Sequence, residues 1–159
     1  MKTNINTDFR LLNEWLYITY DEQSARHMSN LHYHNAYEMF VVASGSSTML
    51  VDDHMINTQK SNIVLIKPNS LHKNNGGARH SRYALHFTDK YLNTYFASDV
   101  TESLTKMFNN EKFSIKQEEF SKILELLGRI YSGDKFSYIH LAEILSIISR
   151  PDSIIHQAR

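Results

Sequence analysis

The sequence predicts a mostly β fold with a C-terminal α-helical part, and three observations carry that expectation. Short apolar runs alternate with turn-forming clusters up to about residue 88. Beyond that point the hydrophobic period lengthens to that of helices. Seven of the nine histidines also precede residue 89, so the two parts differ chemically as well. Evenly spaced short strands predict a β-sandwich or barrel. The 159 residues amount to about one domain.

Taken in order, the strand candidates are Trp15 to Tyr20, Tyr37 to Ala43, Thr48 to Val51, Ile63 to Ile66 and Tyr83 to Phe87. Asp52-Asp53-His54 and the stretch Lys73 to Ala78 supply turn chemistry between them. The first helix is expected behind Asp89 as N-cap, with Tyr91, Leu92, Tyr95 and Phe96 on one side. A second follows Ser114, which forms a capping box with Gln117 and leads a stripe of Phe120, Ile123, Leu124, Leu127, Ile130 and Tyr131. The third starts near Ser137 and ends where Arg150-Pro151 stops it. It is apolar around much of its circumference, which predicts a dimer interface of Ile139, Leu141, Ile144, Leu145 and Ile148. The division expected is 1–88 for the β unit, 89–150 for a helical tail that packs on it and dimerises, and 151–159 for the start of a linker.

Composition removes several function classes. Without cysteine there is no disulfide framework, no thiolate nucleophile and no cysteine-held cluster, so any metal takes nitrogen and oxygen ligands. Lys plus Arg equals Asp plus Glu at 17 each, and neither half carries a basic excess, so no phosphate-binding footprint is present. Five glycines form neither a dinucleotide fingerprint nor a P-loop. The longest apolar run, Met39 to Ala43, is far below the ~20 residues of a membrane helix. A cytoplasmic protein with no membrane contact is expected.

The informative stretch runs from His32 through His34 to Glu38, with Gly45 and His72 beyond it. Residues two apart on a strand share a face, so His32 and His34 project together at about 6.6 Å between Cα atoms. Glu38 has the same parity but lies about 13 Å beyond His34 on a straight strand, so a bend is required around Asn35 to Tyr37. With that bend, Glu38 reaches the imidazoles, Phe40 and Val42 continue its inward face, and His72 arrives from a third strand. Two readings follow from the residues. Three neutral imidazoles and a carboxylate can hold one divalent transition metal, Mn, Fe, Ni or Zn. The same four side chains can instead line an effector pocket, with Phe40 and Val42, as hydrogen-bonding groups without an ion. His27, His54, His80, His86, His140 and His156 read as surface or internally satisfied histidines.

His32-x-His34-x3-Glu38-x6-Gly45 resembles the first motif of the cupin superfamily in every spacing. Ser61 to Pro68 followed by His72 resembles the second motif, with Ser-Asn where Gly-Asp is usual and Lys67 in place of a proline. The final strand Arg82 to Phe87, then Tyr91-Leu92 and amphipathic helices, is similar to the N-terminal effector-binding and dimerisation domain of AraC-type transcriptional regulators. That likeness spans about residues 10 to 150. It implies a cupin-like double-stranded β-helix, a jelly-roll barrel, followed by two to three helices. It further implies a small polar effector, with carbohydrate as the class the family points to, a homodimer, and contact with DNA only through a helix-turn-helix domain missing from this chain. A recognition helix is absent here, and no catalytic residue is identified. The alternative expectation is a metal-dependent cupin oxygenase or isomerase using His32, His34, Glu38 and His72.

Overall fold

The computed structural model describes residues 7–13, 16–24, 30–76 and 78–155. Trp15, His27 and His156 lie outside the described residues. The chain forms β1 (Thr7–Asn13), β2 (Leu16–Ser24), β3 (Tyr37–Val51), β4 (His54–Gln59), β5 (Asn62–Ile66), β6 (His72–Gly76) and β7 (His80–Phe87). Then come α1 (Asp89–Tyr95), α2 (Ser98–Thr105), β8 (Glu111–Ile115), α3 (Gln117–Tyr131), α4 (Ser137–Ile148), a 3-10 turn (Pro151–Ser153) and β9 (Ile154–Ile155).

One long strand organises the barrel. The two runs expected at Tyr37 to Ala43 and Thr48 to Val51 are a single strand, β3, of 15 residues. Its first half pairs antiparallel with β5 and β7, and its second half with β4 and β6. The handover falls at Gly45, where φ is +73° and a side chain would run into the Arg79 carbonyl. Glycine is therefore required where β3 leaves one sheet for the other. With β1 and β2 continuing outward from β7, the strands form the double-stranded β-helix of the cupin fold. The tight turn at Asp52-Asp53 joins β3 to β4, with Asp52 at φ 53°. Lys73 to Gly76, expected as turn, is instead strand β6, because β3 offers it a hydrogen-bonding edge.

Helix ends differ from expectation for local reasons. Thr88, not Asp89, caps α1, its hydroxyl accepting from the Tyr91 N–H at 3.1 Å. Ser114 caps nothing, because it belongs to β8, where its hydroxyl accepts from Asn62 Nδ2 at 3.0 Å and its backbone pairs with β5. α3 starts after Lys116 with no side-chain cap. The part expected to be helical thus adds a strand to the barrel sheet. Pro151 to Ile155, expected as linker, folds back so that Ile154 pairs with Ile115 and Ser153 is buried.

Two apolar clusters result. The larger lies between the β2–β7–β3–β5 sheet and the helices, and includes Leu16, Ile18, Met39, Leu85, Phe87, Leu92, Phe120, Ile123 and Leu127. Leu141, Ile144, Leu145 and Ile148 belong to it as well, at 0–2% exposure. This corrects the expected interface. α2, α3 and the Pro151–Ser153 turn all contact α4, so those four residues are consumed by the chain's own core, and of the five only Ile139 is exposed. The smaller cluster, Phe40, Val42, Met49, Val51, Val64 and Ile66, fills one end of the barrel interior. No helix among the described residues is long and apolar enough to cross a membrane.

Candidate metal centre and ligand cavity

His32 and His34 sit on the approach to β3, in a segment laid against the entry to β6. His32 and His72 exchange both backbone hydrogen bonds, and the His34 carbonyl accepts from the Asn69 N–H at 2.9 Å. Asn69 takes the left-handed conformation this close return requires, at φ 65°. The chain bends at Asn35-Ala36, and Glu38 then enters β3 between Ile66 of β5 and His86 of β7. The ligating atoms of His32, His34, Glu38 and His72 all lie within 4.8 Å of one another. The segment carrying His34 is not a strand, and His32 forms only an isolated bridge, so the two rings are set by the backbone pairing with residues 69–72.

The hydrogen bonds fix which nitrogen faces inward. His34 Nδ1 donates to the Ala36 carbonyl at 3.2 Å, and His72 Nδ1 donates to the Ser70 carbonyl at 2.8 Å. Each imidazole therefore turns Nε2 toward Glu38 Oε2, at 2.9 Å for His34 and 2.8 Å for His72. The His72 contact is not aligned for a hydrogen bond, which leaves His72 Nε2 buried without a partner. His32 Nδ1 is likewise buried and unpaired. Two lone pairs facing one carboxylate oxygen call for a cation, either protons on the imidazoles or a metal ion among them. The residues present thus fit a divalent metal held by nitrogen and oxygen donors.

Electrostatics agree. Burial pushes the Glu38 carboxyl up, yet the charge of His86 and the surrounding imidazoles of His34 and His72 outweigh it and hold Glu38 well below the usual carboxylate range. Burial pushes His72 down, but the adjacent Glu38 carboxylate reverses this and raises it. His32 is lowered, by burial first and by neighbouring His72 second.

A cavity of about 280 Å³ opens onto the centre. Phe40 lines it; Val42 does not, because it packs into the interior apolar cluster. Several lining residues were not legible as site residues. His86 brings Nε2 to 3.2 Å from Glu38 Oε2 and stacks on Tyr17 at 4.3 Å between centroids. Arg82 forms a buried ion pair with Asp21 at 2.9 Å and lies over the Phe40 ring. Arg82 Nη1 also donates to His80 Nε2 at 2.7 Å, while His80 Nδ1 donates to the Ala78 carbonyl. Asn74 of β6 lines the same space. The alternation Arg82-x-Ala84-x-His86 was the available signal, since it puts three residues on one strand face.

Similar solved structures are cupins. A cupin protein from Bacteroides fragilis is 12% identical with a TM-score of 0.47, over 55% of this chain and 80% of that one. An RmlC-like cupin family protein with a double-stranded β-helix fold, from Methanocaldococcus jannaschii, is 18% identical with a TM-score of 0.46, over 58% and 91%. A mutant of oxalate decarboxylase from Bacillus subtilis is 15% identical with a TM-score of 0.41, over 48% and 22%. No family model matches this chain, and no curated protein does.

Proposed function

We propose that this chain is the ligand-sensing domain of a cytoplasmic AraC-type transcriptional regulator. In this reading its barrel holds one divalent transition metal on His32, His34, Glu38 and His72 and takes a small polar effector beside it. The observation that carries the sensing role is the division of labour along β7. Arg82, Ala84 and His86 line the cavity, while Leu85 and Phe87 belong to the core shared with α1, α3 and α4. A ligand that shifts β7 from within therefore acts on the helical layer through a single strand's thickness. Coupling of about 1–3 kcal/mol between the two faces changes a population about 5- to 150-fold.

When bound, the metal supplies a positive centre that attracts an anionic or lone-pair oxygen. The chain's own residues do the rest. The Ala36 and Ser70 carbonyls orient His34 and His72, Glu38 contributes the negative charge, and the Arg82–Asp21 pair lines the same cavity. The cavity is small beside the usual range of about 300–1,000 Å³, which selects a compact ligand. The proposed homodimer rests on the exposed N-terminal end of α4, where Phe136 and Ile139 are each about half exposed.

The second reading, a metal-dependent oxygenase or isomerase, is favoured by the cavity that opens directly onto the same ligands. One experiment separates them. Chelator-treated protein is reloaded with Mn, Fe, Ni or Zn, and metal content and hydrogen exchange are measured. The sensor reading expects one ion per chain, its loss in His34→Ala, and slower exchange in α1 and α4 on loading. Protection confined to the barrel favours the enzyme, and absence of metal from the loaded protein refutes the centre.

A further inference from the structure

Two of the metal-centre histidines take their setting from one loop, residues 67–71, which joins β5 to β6. The Asn69 N–H of that loop donates to the His34 carbonyl at 2.9 Å, and the Ser70 carbonyl accepts from His72 Nδ1 at 2.8 Å. Partners of this kind fix the tautomer and direction of a ligating imidazole. Whatever holds the loop therefore holds His72.

One side chain spans it. Asn110 Oδ1 accepts from the Lys67 N–H at 2.9 Å, at the start of the loop, and Asn110 Nδ2 donates to Ser70 Oγ at 3.0 Å, near its end. The same Nδ2 donates to Asp52 Oδ2 at 3.1 Å, in the turn after β3, and the Asn110 N–H donates to the Leu65 carbonyl of β5 at 2.8 Å. An amide, with an acceptor oxygen and two N–H donors, is the side chain these three contacts require. Its φ of 59° is a left-handed conformation that asparagine accepts more readily than most residues. The anchor for Asn110 lies in the core shared with the helices. Phe108 is 6% exposed and packs on Phe87 and Tyr37 at 5.5 and 5.0 Å between ring centroids, while its N–H donates to the Thr105 carbonyl at the end of α2. Segment 108–110 thus has one end in the helical layer and the other on the loop that sets His72.

We propose that Asn110 is a positioning residue of the metal centre: its amide clamps loop 67–71 so that the Ser70 carbonyl holds the His72 ring with Nε2 turned toward Glu38. Asn110 acts through Ser70 and has no contact with the ligating atoms. The proposal rests on the centre described above, but the clamp orients His72 with or without an ion, and that difference separates the two in the test.

Zinc affinity is measured by calorimetric titration, and exchange of the His72 Nδ1–H with water is followed by NMR in zinc-loaded and metal-free protein. Asn110→Gly removes the amide at a left-handed position that glycine adopts freely, so the backbone is left unstrained. Zinc affinity should fall about tenfold, as when an outer partner of a ligand is lost. The His72 Nδ1–H of metal-free protein should exchange about tenfold faster, because the hydrogen bonds that steady Ser70 and its loop are gone. Asn110→Asp keeps the Lys67 contact but turns a carboxylate oxygen toward Asp52, and should weaken zinc to a similar degree. Adding Asp52→Asn supplies the missing N–H from the other side, and with the Ser70 hydroxyl now donating, affinity should return to within about twofold of wild type. This exchanged pair gives the same reading should the glycine variant fail to fold. A role in stability alone would lower the melting temperature and leave His72 exchange unmoved. The proposal is overturned if Asn110→Gly keeps zinc affinity and His72 exchange within about twofold of wild type, or if the exchanged pair binds zinc as weakly as Asn110→Asp. Wild-type protein that takes up no zinc refutes the metal centre alone, and His72 exchange in the metal-free protein then decides the clamp.

Discussion

Ile144 on α4 decides whether that helix is core or interface. The side chain is 0% exposed within a single chain and packs in the cluster that also holds Leu85, Leu92 and Phe120. Ile144→Ala removes buried methyl groups and leaves a cavity, at a cost of about 2–5 kcal/mol. For a domain of this length each kcal/mol lowers the melting temperature by about 2–4 °C, so a drop of roughly 10 °C is expected. Ile144→Glu places an unpaired charge in the same space and should prevent folding. Ile139→Ala, on the exposed side of the same helix, should stay within about 0.5 kcal/mol of the parent in stability. Thermal melts followed by circular dichroism at two protein concentrations, with molar mass from light scattering, read all three. A folded Ile144→Glu protein of halved mass would refute the core assignment. So would an Ile144→Ala melt that coincides with that of the parent.

Two further outcomes follow from named contacts. Gly45→Ala should destabilise by more than about 2 kcal/mol, because a left-handed backbone is combined with overlap on the Arg79 carbonyl. Gly128→Ala, in α3 with only Tyr83 Oη at 3.8 Å, should stabilise by about 0.5–1 kcal/mol; urea melts that rank these two the other way contradict the backbone argument. The pH dependence has a defined sign. His72 is raised, so its contribution to the metal-free protein is full below about pH 6.5 and is lost as pH rises through its folded value. His32 is lowered, so its contribution is full above about pH 6.5 and declines only below it. As pH rises above about 6.5 the metal-free protein should thus lose stability while metal affinity rises, since the ion competes with the His72 proton. Melting curves with and without chelator that move in parallel over that range would be inconsistent with the centre.

The alternation of His32 and His34, the spacing to Glu38 and Gly45, and the later His72 were enough to mark a His/Glu cluster, because each signal is local. His86 was not, since its place beside Glu38 depends on the register of β7 against β3, which no short window contains. The same holds for Ser114, whose local Ser-x-x-Gln pattern reads as a cap until β5 claims it as a strand residue. α2 buries only Thr101 and Thr105 and so leaves no apolar stripe to detect. α4 was read as an interface because one neighbouring helix cannot cover it. The 3-10 turn after Pro151 and α2 supply the missing cover, and neither has a strong local signature.

The first half of β3, up to the handover at Gly45, carries two messages written in alternate letters. Met39 and Val41 face the helices, while Glu38 and Phe40 face the cavity. Most of the apolar packing sits outside the barrel, between sheet and helices, so the inside is released from the task of holding the molecule together. Substitutions at Glu38 and Phe40 then change what is bound, and those at Met39 and Val41 change whether the chain folds. A lineage built this way can exchange one ligand for another without renegotiating its stability. An engineer who wishes to retune specificity has a defined set of positions at which to begin: the cavity-facing residues of β3, β6 and β7.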